Sequence, residues 1–197
     1  MRKLHFLSLP VLLLALGLGL AACGGGGESD EDKIATTIET AATGTDPSVC
    51  GETQTLKFME QTTGASGKQA EKSCEKEAEE GANQPDSVAV SKVKVNGESA
   101  SADAEFKGGN FNEQTLELAL VEEGGEWKLD EFTGFAKFDP APFIAVLGEQ
   151  LEEEESIDPK TASCIVEGVE ELSNPELESL VVESNTEPIV EIAEGCE

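Results

Sequence analysis

Tyrosine is absent from the chain, and histidine and arginine occur once each, as His5 and Arg2. Beyond position 5 there is thus no imidazole to activate a serine or cysteine nucleophile, and none to ligate zinc or haem. Nor is there a guanidinium fork for a phosphate or carboxylate. Basic residues are also scarce, 13 against 41 acids, for a formal net charge of −28. Such a charge repels nucleic-acid phosphates and anionic lipid headgroups, so nucleic acid is not expected as a partner. Carboxylate-only chemistry stays open, such as paired acids acting on a sugar. With so many acids, most are a solvated surface, and a nearby pair carries little information.

Long apolar runs are lacking too, with one exception at the start. Arg2 and Lys3 precede a run from Phe6 to Leu20, interrupted by Ser8, Pro10, Gly17 and Gly19. Fifteen residues at roughly 1.5 Å each fall short of a ~30 Å hydrocarbon core but suit a secretory signal. The run ends in Leu20-Ala21-Ala22-Cys23. An aliphatic residue, two small residues and a cysteine resemble the lipobox of bacterial lipoproteins. The small side chains fit a narrow peptidase cleft, and the Cys23 thiol is the nucleophile that accepts a diacylglyceryl group. The resemblance implies removal of residues 1–22 and attachment to a membrane through lipid on Cys23, on the extracytoplasmic face (cell surface or periplasmic side). Two acyl chains at ~0.8 kcal/mol per buried methylene hold firmly where one is marginal. Residues 23–32 read as a tether, with Gly24–Gly27 flexible and Glu28–Asp32 charged. The mature chain would carry eleven lysines and 41 acids, a formal charge of −30.

Five cysteines fit an exported protein. With Cys23 lipidated, Cys50, Cys74, Cys164 and Cys196 remain and allow three pairings. Cys50–Cys74 with Cys164–Cys196 is favoured because each pair stays within one sequence block. Closing loops of this size stabilises by roughly 3–4 kcal/mol each in the chain-entropy view. No zinc-like C-x-x-C spacing is present.

Periodicity divides the rest. Ile34, Ile38, Ala41 and Ala42 predict an amphipathic helix from Lys33 to about Thr43, ended by Asp46-Pro47. Residues 53–62, with Leu56, Phe58 and Met59, predict a short second helix stopped near Gly64. Lys68 to about Glu80 predicts a third, with Ala70, Cys74 and Ala78 on one face. A Cys50–Cys74 bridge would clamp that helix to the start of the second. After Asn83-Gln84-Pro85-Asp86 the period becomes two. Val88 and Val90 lead to Val93 and Val95 in opposite phase, implying either a bulge near Ser91 or a strand covered on both faces. Asn96-Gly97 is a hairpin turn signal. Strands with Ala100, Ala102, Ala104 and Phe106, then Leu116, Leu118 and Leu120, then Trp127 and Leu129 complete an antiparallel meander. The class is α+β.

Two helices, a strand into Asn96-Gly97, Ala- and Leu-rich strands, and Leu118–Asp130 ending in Gly124-Gly125-Glu126-Trp127-Lys128-Leu129-Asp130 resemble the NTF2-like (cystatin-like, SnoaL-like) superfamily. The resemblance covers about residues 33–135 and assigns 33–138 as one domain. It implies a curved sheet wrapped by N-terminal helices around a conical pocket. Enzymatic members place an Asp base with Tyr, Arg or a second acid there. This chain has no Tyr and no mature Arg, so no catalytic residue transfers. Phe106, Phe111, Trp127 and Phe132 are candidates to line such a pocket, although aromatics on a half-buried sheet are more often core.

Residues 139–197 hold 17 acids and one lysine. Phe143, Ile144, Val146, Leu147 and Leu151 predict one helix and Ile165, Val166, Val169 and Leu172 another. Pro175 and Pro188 open two short ones. The result is a small all-α domain held by Cys164–Cys196. The acid run Glu152–Glu155 lacks the alternating ligands and glycine of a calcium loop. Thr63–Lys68 lacks phosphate-loop spacing. No metal, cofactor or catalytic residue is assigned. The composition favours a non-enzymatic module that holds a small molecule or contacts an envelope protein. A carboxylate-based enzyme and a structural envelope spacer are the alternatives. Facing buried acids in the cone would favour the enzyme, and a cone filled by side chains the spacer.

Overall fold

Ser29 starts the fold. Its extended backbone (φ −68°, ψ 157°) and its Oγ, which accepts from the Asp32 N–H, cap α1 (Asp30–Thr43). Asp30, Glu31 and Asp32 place negative charge at the positive end of the helix dipole. These three residues, expected in the tether, therefore form the first turn of α1. A computed structural model describes residues 28–81, 84–154, 157–183 and 185–196. The apolar N-terminal run, the lipobox and Cys23 lie outside the described residues.

α1 buries Ile34 and Ile38 completely. Next comes α2 (Ser48–Thr53), a six-residue helix that periodicity does not predict. Asp46 Oδ1 accepts from the Ser48 N–H at its entry. α3 (Leu56–Thr63) starts three residues later than expected, because Thr55 Oγ1 accepts from the Phe58 N–H and sets the cap there. α4 (Lys68–Glu80) has the expected bounds and buries Ala70, Cys74 and Ala78. The Cys50–Cys74 disulfide therefore joins α4 to α2, and not to the start of α3.

Strands β1 (Ser87–Asn96), β2 (Ser99–Lys107), β3 (Thr115–Glu123) and β4 (Glu126–Lys137) form one antiparallel sheet in sequence order. The pairs Val88–Phe106, Ala100–Leu120, Ala102–Leu118 and Leu120–Leu129 face the helices and make the main core. The phase change in β1 is a bulge. Its register shifts between Ser91 and Lys94, and Lys92 takes φ 52°. The added residue returns Val93 and Val95 to the face of Val88 and Val90. Lys92 Nζ lies 2.7 Å from Asp103 Oδ2 on the other face. β4 carries its own register shifts opposite Leu116, Leu118 and Leu120.

The free edge of β4 is covered by α2 and α3. Gln54 bridges Leu129 in parallel fashion, and the Thr55 N–H donates to the Leu129 carbonyl at 2.8 Å. Gln61 continues this cover with its side chain. Oε1 accepts from the Phe132 N–H, while Nε2 donates to the carbonyls of Phe132 and Val182. One carboxamide thus serves as a strand partner and fastens the C-terminal helices. Gln61→Leu leaves these backbone groups unpaired and should cost about 2–3 kcal/mol in urea unfolding. A cost below about 0.5 kcal/mol would contradict this role.

The C-terminal segment comprises α5 (Pro140–Glu153), α6 (Pro159–Glu170), α7 (Asn174–Val182) and α8 (Glu187–Gly195). Each of the four has proline in its first turn. Asp139, Asp158 and the Ser173–Glu176 capping box start the first three. Ile165, Val169, Leu177 and Leu180 form a second core. Gly168 lies in close contact with Ile192, since an added Cβ would come within 2.5 Å of Ile192 Cγ2. The Cys164–Cys196 disulfide ties α6 to the residue after α8. This helical segment also packs onto the sheet. Val181 and Val182 touch the main core. The buried Gln114 carboxamide exchanges two 2.7 Å hydrogen bonds with the Asp139 backbone.

Candidate functional site

A cavity of about 480 Å³ lies between the core face of the sheet and helices α1–α4. Ile38, Ala41 and Ala42 form its α1 wall, and Val49, Phe58 and Ala78 come from the next three helices. Its floor is Phe106, Leu116, Leu118, Leu129 and Phe132, the alternating residues of β2, β3 and β4. Both sulfurs of the Cys50–Cys74 bridge belong to residues on the wall.

The β2–β3 loop supplies Phe111. Gly108 and Gly109 turn with φ 79° and 65°, and Asn112 Oδ1 accepts from the Gly108 N–H at 2.7 Å. A side chain at Gly108 would meet Asp86, 2.8 Å from its Oδ2. The turn folds Phe111 back over the sheet, with ring centroids 5.8 Å from Phe106 and 6.4 Å from Phe132. Phe135 and Phe138 continue the series at 4.9 and 4.6 Å. A chain of five phenylalanines thus connects the cavity to the C-terminal helices.

Of the four aromatics expected at a pocket, Phe106, Phe111 and Phe132 line this one. Trp127 does not. It is 3% exposed and opposite Glu122, near the β3–β4 turn, beneath α1. Thr37 Oγ1 donates to its carbonyl at 3.3 Å. Alternation identifies the face a strand residue occupies but not its distance along the strand, and the cavity lies toward the other end. The Trp127 Nε1 is buried and makes no hydrogen bond among the described residues.

Gln54 is the wall residue that periodicity misses. It is 8% exposed, and its Oε1 lies 3.6 Å from Cys74 Sγ. A sulfur in a disulfide carries no proton, so this is a contact and not a hydrogen bond. The nearest sequence signal is its place four residues after Cys50. A glutamine just ahead of a helix cap otherwise reads as exposed loop.

The rim is polar. Gln84 Nε2 donates to the Gly44 carbonyl at 2.8 Å, and Glu77, Glu80 and Asn110 are exposed there. Glu77 and Glu80 are three residues apart on α4, and Lys76 Nζ lies 3.5 Å from Glu80 Oε1. Glu77 is exposed as a residue, but its carboxyl is partly desolvated; this holds it above its ordinary value, the Glu80 charge adds to the effect, and Lys76 opposes it. With the folded value raised, the folded state keeps the proton more tightly than the unfolded chain. Ionised Glu77 therefore lowers stability as pH rises from the ordinary carboxylate value through the raised one. Glu77→Gln should melt higher than the parent at neutral pH, and the gap should close on acidification below the ordinary glutamate range. A gap independent of pH would contradict this assignment.

No group of three or more Cys, Asp, Glu or His side chains suited to a metal ion occurs among the described residues. A second depression of about 440 Å³ lies over α5 and α6 beside Ile144, Gly148 and Val166. It has no buried polar group. The chain matches no family model, no curated protein and no solved structure.

Proposed function

We propose that this chain is a lipid-anchored extracytoplasmic lipoprotein whose NTF2-like domain binds a small apolar molecule without transforming it. The observation that carries the reading is the apolar cavity between sheet and helices. Its volume falls within the ~300–1,000 Å³ typical of small-molecule sites. The acids that border it sit together at the rim on one helix, an arrangement that favours holding a ligand over carboxylate catalysis. An open interior counts against a purely structural spacer. Four helices ahead of an antiparallel meander are compatible with the NTF2-like resemblance. Support for the address comes from Leu20-Ala21-Ala22-Cys23, and the two disulfides are compatible with an oxidising compartment. No helix among the described residues is long and apolar enough to cross a membrane.

Two substitutions test the two halves separately. Cys23→Ala should release the protein from membranes or block its maturation, and unchanged retention would overturn the anchor. Ala42→Phe places a ring in the cavity from α1. It should abolish the fluorescence gain of a neutral apolar dye while the far-ultraviolet circular dichroism stays that of the parent. Undiminished dye binding would overturn the pocket.

A further inference from the structure

Resting on that reading, we infer that Phe111 limits the size of the ligand, its ring acting as a fixed stop at the β2–β3 loop end of the cavity. The ring lies against Phe106 and Phe132, at centroid distances of 5.8 and 6.4 Å, and all three residues line the cavity. Phe106 and Phe132 are buried on the packed face of the sheet, opposite Val88 and Leu118. Shortening either opens the core itself. Phe111 is half-buried and lies outside the strands. The space its ring fills is bounded by floor residues, so a shorter side chain there extends the cavity instead of leaving a separate void.

The loop that carries the ring is held by its own backbone. Besides the bond from Gly108 to Asn112, the Glu113 N–H donates to the Phe106 carbonyl at 2.9 Å, and the Gln114 N–H to the Phe111 carbonyl at 3.0 Å. Glu113 takes φ 64°, a conformation that side-chain-bearing residues rarely adopt, between these two bonds. The Gln114 carboxamide then anchors the loop to the Asp139 backbone. None of these bonds uses the Phe111 side chain, so its size can change while the loop keeps its path. The other end of the sheet offers no such freedom, because Leu120, Trp127 and Ile34 are buried there in one core. Phe111 is thus the boundary that can be altered without dismantling the fold. A ligand group that meets a fixed ring must displace it, and one methylene of misfit in an apolar pocket changes binding by about tenfold or more.

Naphthalene, pyrene and perylene form a rigid apolar series of increasing size for the test. A trace of each is titrated with the mature full chain and read by fluorescence anisotropy, with the buffer or lipid carrier as blank. Phe111→Ala should raise the perylene-to-naphthalene affinity ratio about tenfold over the parent, and Phe111→Trp should lower it by about as much. Phe111→Leu should move the ratio in the direction of the alanine variant, and serves in its place if that variant fails to fold. Phe135→Ala removes a neighbouring ring that does not line the cavity and should leave the ratio unchanged. A ratio unmoved by the Phe111 substitutions, moved the same way by the smaller and the larger residue, or moved equally by Phe135→Ala overturns the role of Phe111. Binding of none of the three probes by the parent overturns the pocket reading itself, and the inference with it.

Discussion

Replacing both Cys50 and Cys74 with alanine should lower the unfolding free energy by about 3.5 kcal/mol, the chain-entropy value for a loop of this size. The bridge spans 24 residues and is almost wholly buried. What it holds matters as much as the loop it closes. α2 has six residues and no side-chain cap at Pro47, so it has little helical stability of its own. Val49, Cys50, Met59, Ala70, Cys74 and Ala78 form a small core separate from the main one, with the disulfide at its centre. The double substitution should therefore also loosen the α2–α4 wall and weaken ligand binding. Removing Cys164 and Cys196 instead should leave binding intact, since that bridge lies in the C-terminal helices. Urea unfolding of both double variants, with dye titration on each, makes the comparison. Equal loss of binding from the two would contradict the division of roles.

Leu120→Ala should cost about 3–5 kcal/mol, a large share of the ~5–15 kcal/mol that stabilises a typical domain. Leu120 is 1% exposed, pairs with Ala100 and Leu129, and belongs to the main core with Ile34, Ile38 and Trp127. Its truncation leaves a void closed on all sides. Leu118, two residues earlier on the same face, is as deeply buried but borders the cavity. Part of its side chain already faces open space, so fewer packing contacts are lost. Leu118→Ala should cost about 2–3 kcal/mol, at the low end for such truncations, while changing the size of ligand accepted. A reversed order of the two stabilities in urea would contradict the placement of the cavity along β3.

The helices and strands legible in the sequence are those whose pattern is set by one continuous face. Ala70, Cys74 and Ala78 mark α4 because they meet a single core. Asn96-Gly97 marks the first hairpin because its turn chemistry is local. The conflicting phase of the four β1 valines has a local resolution too, one bulge at Lys92. α2 has no such signal. Ser48–Thr53 contains Gly51 and no repeating stripe, and its packing partner, α4, lies well downstream. The same limit applies to the site. Phe106 and Phe132 are recognisable as core-face aromatics, but only the long-range register separates them from Trp127. Gln54 joins the cavity wall only because Cys74 of α4 folds against it.

Native mass spectrometry of the protein recovered from its own cells tests the central claim most directly. The account predicts a chain that begins at Cys23 with diacyl lipid attached, contains both disulfides, and releases a small apolar molecule on gentle activation. A chain with unmodified Cys23 and no bound molecule would contradict it.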